Sequence, residues 1–258
     1  MKAACIITSV CILFSFGCEL PQKVEKRKKL VIVLCDVSAS TTQYHLKNAS
    51  DGRLGKLKYY VEKIPRWEIY PLESQIHYYP VSNNLLSPPV GEVAYNIKLK
   101  SQLNKEIKKV DSTLAVIQSQ LDILALKNMQ SSCIQLSIKR VIRRFWELVD
   151  DTYDNELIIV SDMLECCGGV KMDGSNLNNA KALQGAIARF ETSNTDVDAT
   201  SLNLNIKVII NTPEMGENYE LVEAGWRRWF SKIGVESSNV VFYTDDPKIP
   251  GNPYLDKF

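Results

Sequence analysis

The chain has 258 residues, 45% of them hydrophobic and 24% charged. That composition fits one globular domain, or two small ones, and excludes a disordered or fibrous chain. With 31 Lys and Arg against 30 Asp and Glu, the formal charge of +1 gives no electrostatic ground for nucleic-acid binding. The seven cysteines are the unusual feature, and by number alone they would suggest a disulfide or metal scaffold.

Residues 1–17 open with Lys2, continue as an apolar run and end at Gly17, after which charged residues take over. The run is too short to span a bilayer comfortably and reads as a signal peptide. The ending Phe14-Ser15-Phe16-Gly17-Cys18 is similar to a bacterial lipoprotein signal, in which a small residue precedes a cysteine that becomes the lipidated first residue. Ser15 departs from the pattern, which usually has Leu there. The resemblance implies a lipid on Cys18 that holds the chain at the bacterial cell envelope, on the outer membrane or cell surface, without a transmembrane helix. Lys2, Cys5 and Cys11 would leave with the signal, so the mature chain would be neutral. Residues 18–29 then form a tether: Pro21–Lys29 carries five cations and one Glu with no apolar period. Such a segment is a solvated linker that anionic headgroups would attract.

Residues 30–258 make up the folded part. Leu30–Asp36 (LVIVLCD) is a continuous apolar run that suits a strand buried on both faces of a parallel sheet. Gln75–Val81 is a weaker strand because of Pro80, while Glu156–Val160, Ile206–Ile210 and Asn239–Tyr243 are strong ones. Segments with helical spacing separate them, which predicts an α/β fold with a mostly parallel sheet flanked by helices on both faces.

The first helical stripe is Leu54, Leu57, Val61 and Ile64, and the next strong one is Ile134, Ile138, Val141, Phe145 and Val149. Ala180, Leu183, Ile187 and Phe190 form a third. The last carries Val222, Trp226, Trp229 and Ile233, with Thr212-Pro213 as its expected cap and first turn and Gly234 as its stop. At helical spacing the two tryptophans read as core and not as a ligand platform. A long helical segment near 99–128 carries Leu103, Ile107, Val110, Leu114, Ile117, Leu121 and Leu124 in alternating steps of four and three. This narrow seam packs on its own domain or pairs with a partner helix, self-packing being the commoner use.

Polar residues that could do chemistry fall at the ends of these elements. Asp36-Val37-Ser38-Ala39-Ser40 follows the first strand, Ser131-Ser132 precedes the Ile134 helix, and Ser161-Asp162 ends the Glu156 strand. Carboxyl ends of strands are where open α/β folds bind ligands. Alone, D-x-S-x-S is weak, since Asp and Ser also make turns and helix caps. The three loops together resemble the von Willebrand factor A (vWA) domain, over most of residues 29–245.

The resemblance implies a metal-ion-dependent adhesion site for Mg²⁺ or Mn²⁺. Ser38 and Ser40 match the hydroxyls that ligate the metal directly, and Asp36 and Asp162 match carboxylates that act through bound water. Ser132 in Ser132-Cys133-Ile134 replaces the family's Thr, and Met163 stands where a Gly commonly follows the last Asp. Hydroxyls, two carboxylates and retained waters suit a hard cation that gives up water reluctantly. So few charges would leave the ion electrophilic, ready for an acidic side chain offered by a protein partner. Ser132 keeps the hydroxyl but loses the β-branch that restricts its rotamer.

Two alternatives carry different chemistry. A Mg²⁺-dependent phosphohydrolase of the haloacid-dehalogenase type also starts from an Asp after its first strand, with Asp36 as nucleophile. It needs a second acid two residues on, where this chain has Ser38. His45, in a loop, and His77, in the Gln75–Val81 strand, are the only histidines, and no Gly-rich phosphate loop or nucleophile elbow occurs. A structural or assembly lipoprotein with no active metal site would instead rely on the 103–124 seam. The residues favour a binding module over an enzyme.

Four cysteines remain in the folded part. Cys35 lies in a buried strand and reads as a small hydrophobe. Cys133, Cys166 and Cys167 fall in loops at the metal-bearing edge, where an oxidising compartment would allow a bridge from Cys133 to Cys166 or Cys167. Zinc is disfavoured, since the ligand spacing and a nearby His are missing.

Overall fold

The computed structural model describes residues 27–38, 61, 64–66, 73–81, 89–94, 103–126, 132–148, 152–172, 176, 179–210 and 218–244. Cys18, Ser40 and His45 lie outside the described residues, as do Leu54 and Leu57 of the first helical stripe. The described strands are β1 (Lys28–Cys35), β2 (Gln75–Pro80), β3 (Gly91–Ala94), β4 (Tyr153–Ser161), β5 (Asn205–Ile210) and β6 (Val240–Thr244). They form one sheet in the order β3-β2-β1-β4-β5-β6, with every neighbouring pair parallel except β2 and β3. Four α-helices are described: α1 (Leu103–Leu126), α2 (Ile134–Leu148), α3 (Ala180–Thr192) and α4 (Tyr219–Lys232). The fold is α/β with a mostly parallel sheet.

The apolar run of β1 follows from its central position, because both faces are covered. Leu30, Ile32 and Leu34 enter the core shared with α2, α3 and α4. Val31, Val33 and Cys35 enter the opposite core with α1, Val61 and Ile64. A parallel strand buried on both faces loses the polar alternation of a half-exposed one. The strand starts at Lys28, so Lys28 and Lys29, expected in the tether, belong to the sheet and pair with Tyr153 and Asp154. Their ammonium groups find partners there: Lys28 pairs with Glu73, and Lys29 lies 3.6 Å from Glu156. Pro80 is tolerated because it is the last residue of β2.

The α1 seam packs on its own domain. Leu114, Ile117 and Leu121 are buried and Val110 and Leu124 pack against them. Gly91 of β3 permits the approach, since a Cβ there would lie 2.3 Å from Ile117 Cγ1. On the opposite face Phe190, Trp226 and Trp229 form an aromatic cluster, with ring centroids of Phe190 and Trp226 4.4 Å apart. Both tryptophans are fully buried. The helix that carries them is described from Tyr219, with Asn218 as its N-cap, and Thr212-Pro213, expected as its cap and first turn, lie outside the described residues. It stops as expected at Gly234, whose φ of 88° is left-handed. The Gly234 and Val235 N–H groups return to the carbonyls of Ser231 and Phe230, a Schellman closure. Among the described residues no helix is long and apolar enough to cross a membrane.

Candidate metal centre

From β1 the chain adds β2 and β3 on one side and then crosses back from β3 to β4 on the other side of β1, so the strand order reverses between β1 and β4. Open α/β sheets bind ligands at that switch point, outside the carboxyl ends of the strands. Asp36 lies there, directly after β1, with its N–H donating to the Val160 carbonyl at 2.9 Å. Its carboxylate is fully buried and organises three segments. Oδ1 accepts the Ser38 N–H at 2.9 Å and the Ser132 hydroxyl at 3.4 Å, while Oδ2 accepts the Ser161 hydroxyl at 2.6 Å. The Ser38 bond closes the short turn that Asp forms with the backbone two residues on.

Asp162 follows at the end of β4 and is 3% exposed. Its Oδ1 accepts the Leu164 N–H at 3.0 Å, and the Ser161 hydroxyl accepts the Met163 N–H at 3.0 Å. Between these bonds Met163 adopts a φ of 59°, the left-handed region where glycine is at ease. Met163 is held by its fully buried side chain and by Trp226, whose Nε1–H donates to the Met163 carbonyl at 2.9 Å.

The loop then crosses to the start of α2, where the Cys133 carbonyl accepts the first helical hydrogen bond from Ser137 at 3.0 Å. Cys133 is joined to Cys167 by a disulfide, and Cys166 keeps its thiol. The Cys166 N–H donates to the Ser132 carbonyl at 3.0 Å. Glu165, 1% exposed, accepts the Gln135 N–H at 2.9 Å and so satisfies a donor of the first turn of α2. Burial raises its pKa to about 8, against the opposing pull of backbone donors at Gln135, Ile134 and Cys167.

The donors gathered at this edge suit a hard cation. Asp36, Ser38, Ser132 and Asp162 are all buried, and their side chains offer only oxygen. Among the described residues there is no group of three or more His, Cys, Asp and Glu able to hold a metal. A cation at this edge would therefore depend on hydroxyls and water beside its two carboxylates.

The chain segments carrying Asp36, Ser38, Ser132 and Asp162 meet at one end of the sheet, and Ser40 lies outside the described residues. His77 is buried inside β2, away from the strand ends, with Nε2 3.0 Å from Gln75 Oε1. Burial holds its pKa below that of ordinary histidine. Cys35 is fully buried, and burial followed by the neighbouring Asp36 pushes its thiol pKa up strongly. Sequence reasoning marks Ser161 only as a polar strand end, without its bond to Asp36 across the strand pair, and misses Glu165, which caps α2 from a different loop. Proximity to Asp162 in sequence is the one hint of Glu165.

An α/β sheet with buried oxygen donors at its switch point is the class that fold and site define. No protein-family model and no curated protein matches the sequence. Similar solved structures include proximal thread matrix protein 1 from the mussel byssus, at 15% identity and a TM-score of 0.41, covering 84% of this chain and 44% of that one. Another is the PilB minor pilin from Streptococcus sanguinis, at 10% identity and a TM-score of 0.49, covering 86% of this chain and 58% of that one. The chain spans less than two thirds of either, and at these values neither assigns a function.

Proposed function

We propose that this chain is a vWA-type binding module, anchored to the bacterial envelope through lipid on Cys18, that holds Mg²⁺ or Mn²⁺ and engages the acidic side chain of a protein partner. The observation that carries the reading is the buried Asp36 carboxylate, which ties Ser38, Ser132 and Ser161 from three segments to one point. Asp36 acts here as an organiser. Both its oxygens are engaged by protein donors, which fits a carboxylate that reaches a metal through water. The bound ion would supply Lewis acidity toward the partner's carboxylate. Ser38, Ser132 and, from the motif, Ser40 would ligate it, and Asp162 would act through bound water.

Ser38, where a phosphohydrolase would need its second acid, disfavours hydrolysis with Asp36 as nucleophile. A fragment of residues 24–258 tests the proposal. Mg²⁺ should raise its melting temperature by mass action, by an increment that grows with the logarithm of ion concentration, and Asp36→Ala should abolish the rise. The same fragment should retain its envelope partner in Mg²⁺ and release it in EDTA. A partner retained in EDTA would move the interaction away from the metal edge.

A further inference from the structure

We propose that the Cys133–Cys167 bridge is a redox-sensitive positioning clamp for the metal site, so that a dithiol which opens it lowers divalent-cation affinity. The inference rests on the metal-site reading. Ser132 and Asp162 belong to segments far apart in sequence. The links between those segments include the disulfide, the Cys166 N–H bond to the Ser132 carbonyl, and bonds from the Gln135 and Ile134 N–H groups to Glu165. Only the disulfide is covalent, and Cys133 is the immediate neighbour of Ser132. Opening it removes the strongest restraint on where the Ser132 hydroxyl stands relative to Asp162. Outer groups that orient metal ligands commonly govern about 10–100-fold in affinity.

The two sulfurs differ in a way that favours exchange. Cys133 is fully buried, whereas Cys167 is half-buried and adjoins the exposed Gly168 and Gly169. Those glycines take φ of 63° and 83°, and the Val170 N–H closes the turn on the Cys167 carbonyl at 3.0 Å. Of the two sulfurs, Cys167 Sγ is therefore the one an external thiolate would attack. The attacker forms a mixed disulfide there and expels Cys133 as thiolate. The second thiol of the attacking dithiol then displaces Cys167. Two electrons and two protons pass to the chain, and the dithiol leaves as its disulfide.

The test uses the full chain in detergent, with Mn²⁺ binding measured by calorimetry before and after treatment with a dithiol that is then removed without air. Thiol titration of the native chain should reveal two new thiols on treatment, and affinity should fall about tenfold or more. Cys133→Ser/Cys167→Ser should bind like the reduced chain. Equal affinity in both redox states, or a bridge that yields no new thiols natively, would overturn the clamp and leave the metal reading standing. Loss of helical signal on reduction would also overturn it, since the bridge would then hold the fold and not the site. Absence of Mn²⁺ binding by the oxidised chain would overturn the metal reading and the clamp with it.

Discussion

Met163 and Glu165 set the residue-scale energetics of the site. Met163 occupies a left-handed backbone position that costs a non-glycine residue about 1 kcal/mol. Its side chain is fully buried, and removing a buried Met typically costs about 2–5 kcal/mol. The cavity outweighs the relief, so Met163→Gly should be less stable than the parent, by about 1–4 kcal/mol in urea unfolding. Glu165 makes stability depend on pH. Its pKa is near 8 in the folded chain and lower once unfolded, so the folded state holds a proton that the unfolded state releases. That contribution is complete below the ordinary glutamate range and is lost as pH rises toward 8. In EDTA the urea midpoint should fall between pH 5 and 8.5, and Glu165→Gln should flatten the fall. Asp36, Ser38, Ser132 and Asp162 were accessible to sequence reasoning because each follows or precedes a strong apolar run. The bond from Ser161 to Asp36 and the capping role of Glu165 were not: the first acts across a strand pair and the second across two loops, and neither relation has a sequence period.

At the scale of elements, apolar patterning located the buried strands and helices, and departures arise where tertiary contacts overrule it. Lys28 and Lys29 look like linker, yet sheet pairing and acidic partners draw them into β1. The four-residue β3 carries no recognisable pattern, since an antiparallel edge strand needs only β2 beside it. The α1 seam, which also suits a coiled coil, is occupied by the sheet and by β3. Gly91 makes that contact possible, and Gly91→Ala would drive a methyl into the Ile117 side chain. Overpacking of this kind costs about 1–3 kcal/mol, so the urea midpoint of Gly91→Ala should fall with an unchanged m-value. An unchanged midpoint would mean that α1 can shift away from β3.

For the whole molecule, the cysteines divide by location. Cys5, Cys11 and Cys18 fall in the amino-terminal segment outside the described residues, Cys35 packs within the sheet, and Cys133, Cys166 and Cys167 gather beside the candidate metal centre. The bridge closes a chain separation of 34 residues, which by loop entropy is worth about 3–4 kcal/mol. The topology brings β1 and β4 together at the middle of the sheet, and the residues between them in sequence return as α2 to deliver Ser132 to the same end. Whether that end holds a cation separates a metal-dependent binding module from a purely structural domain. Calorimetric titration of the oxidised chain with Mn²⁺ should give one ion per chain, and Asp36→Asn, which preserves the volume and an acceptor for the Ser38 N–H, should remove the binding. No binding by the parent chain, or equal binding by Asp36→Asn, would contradict it.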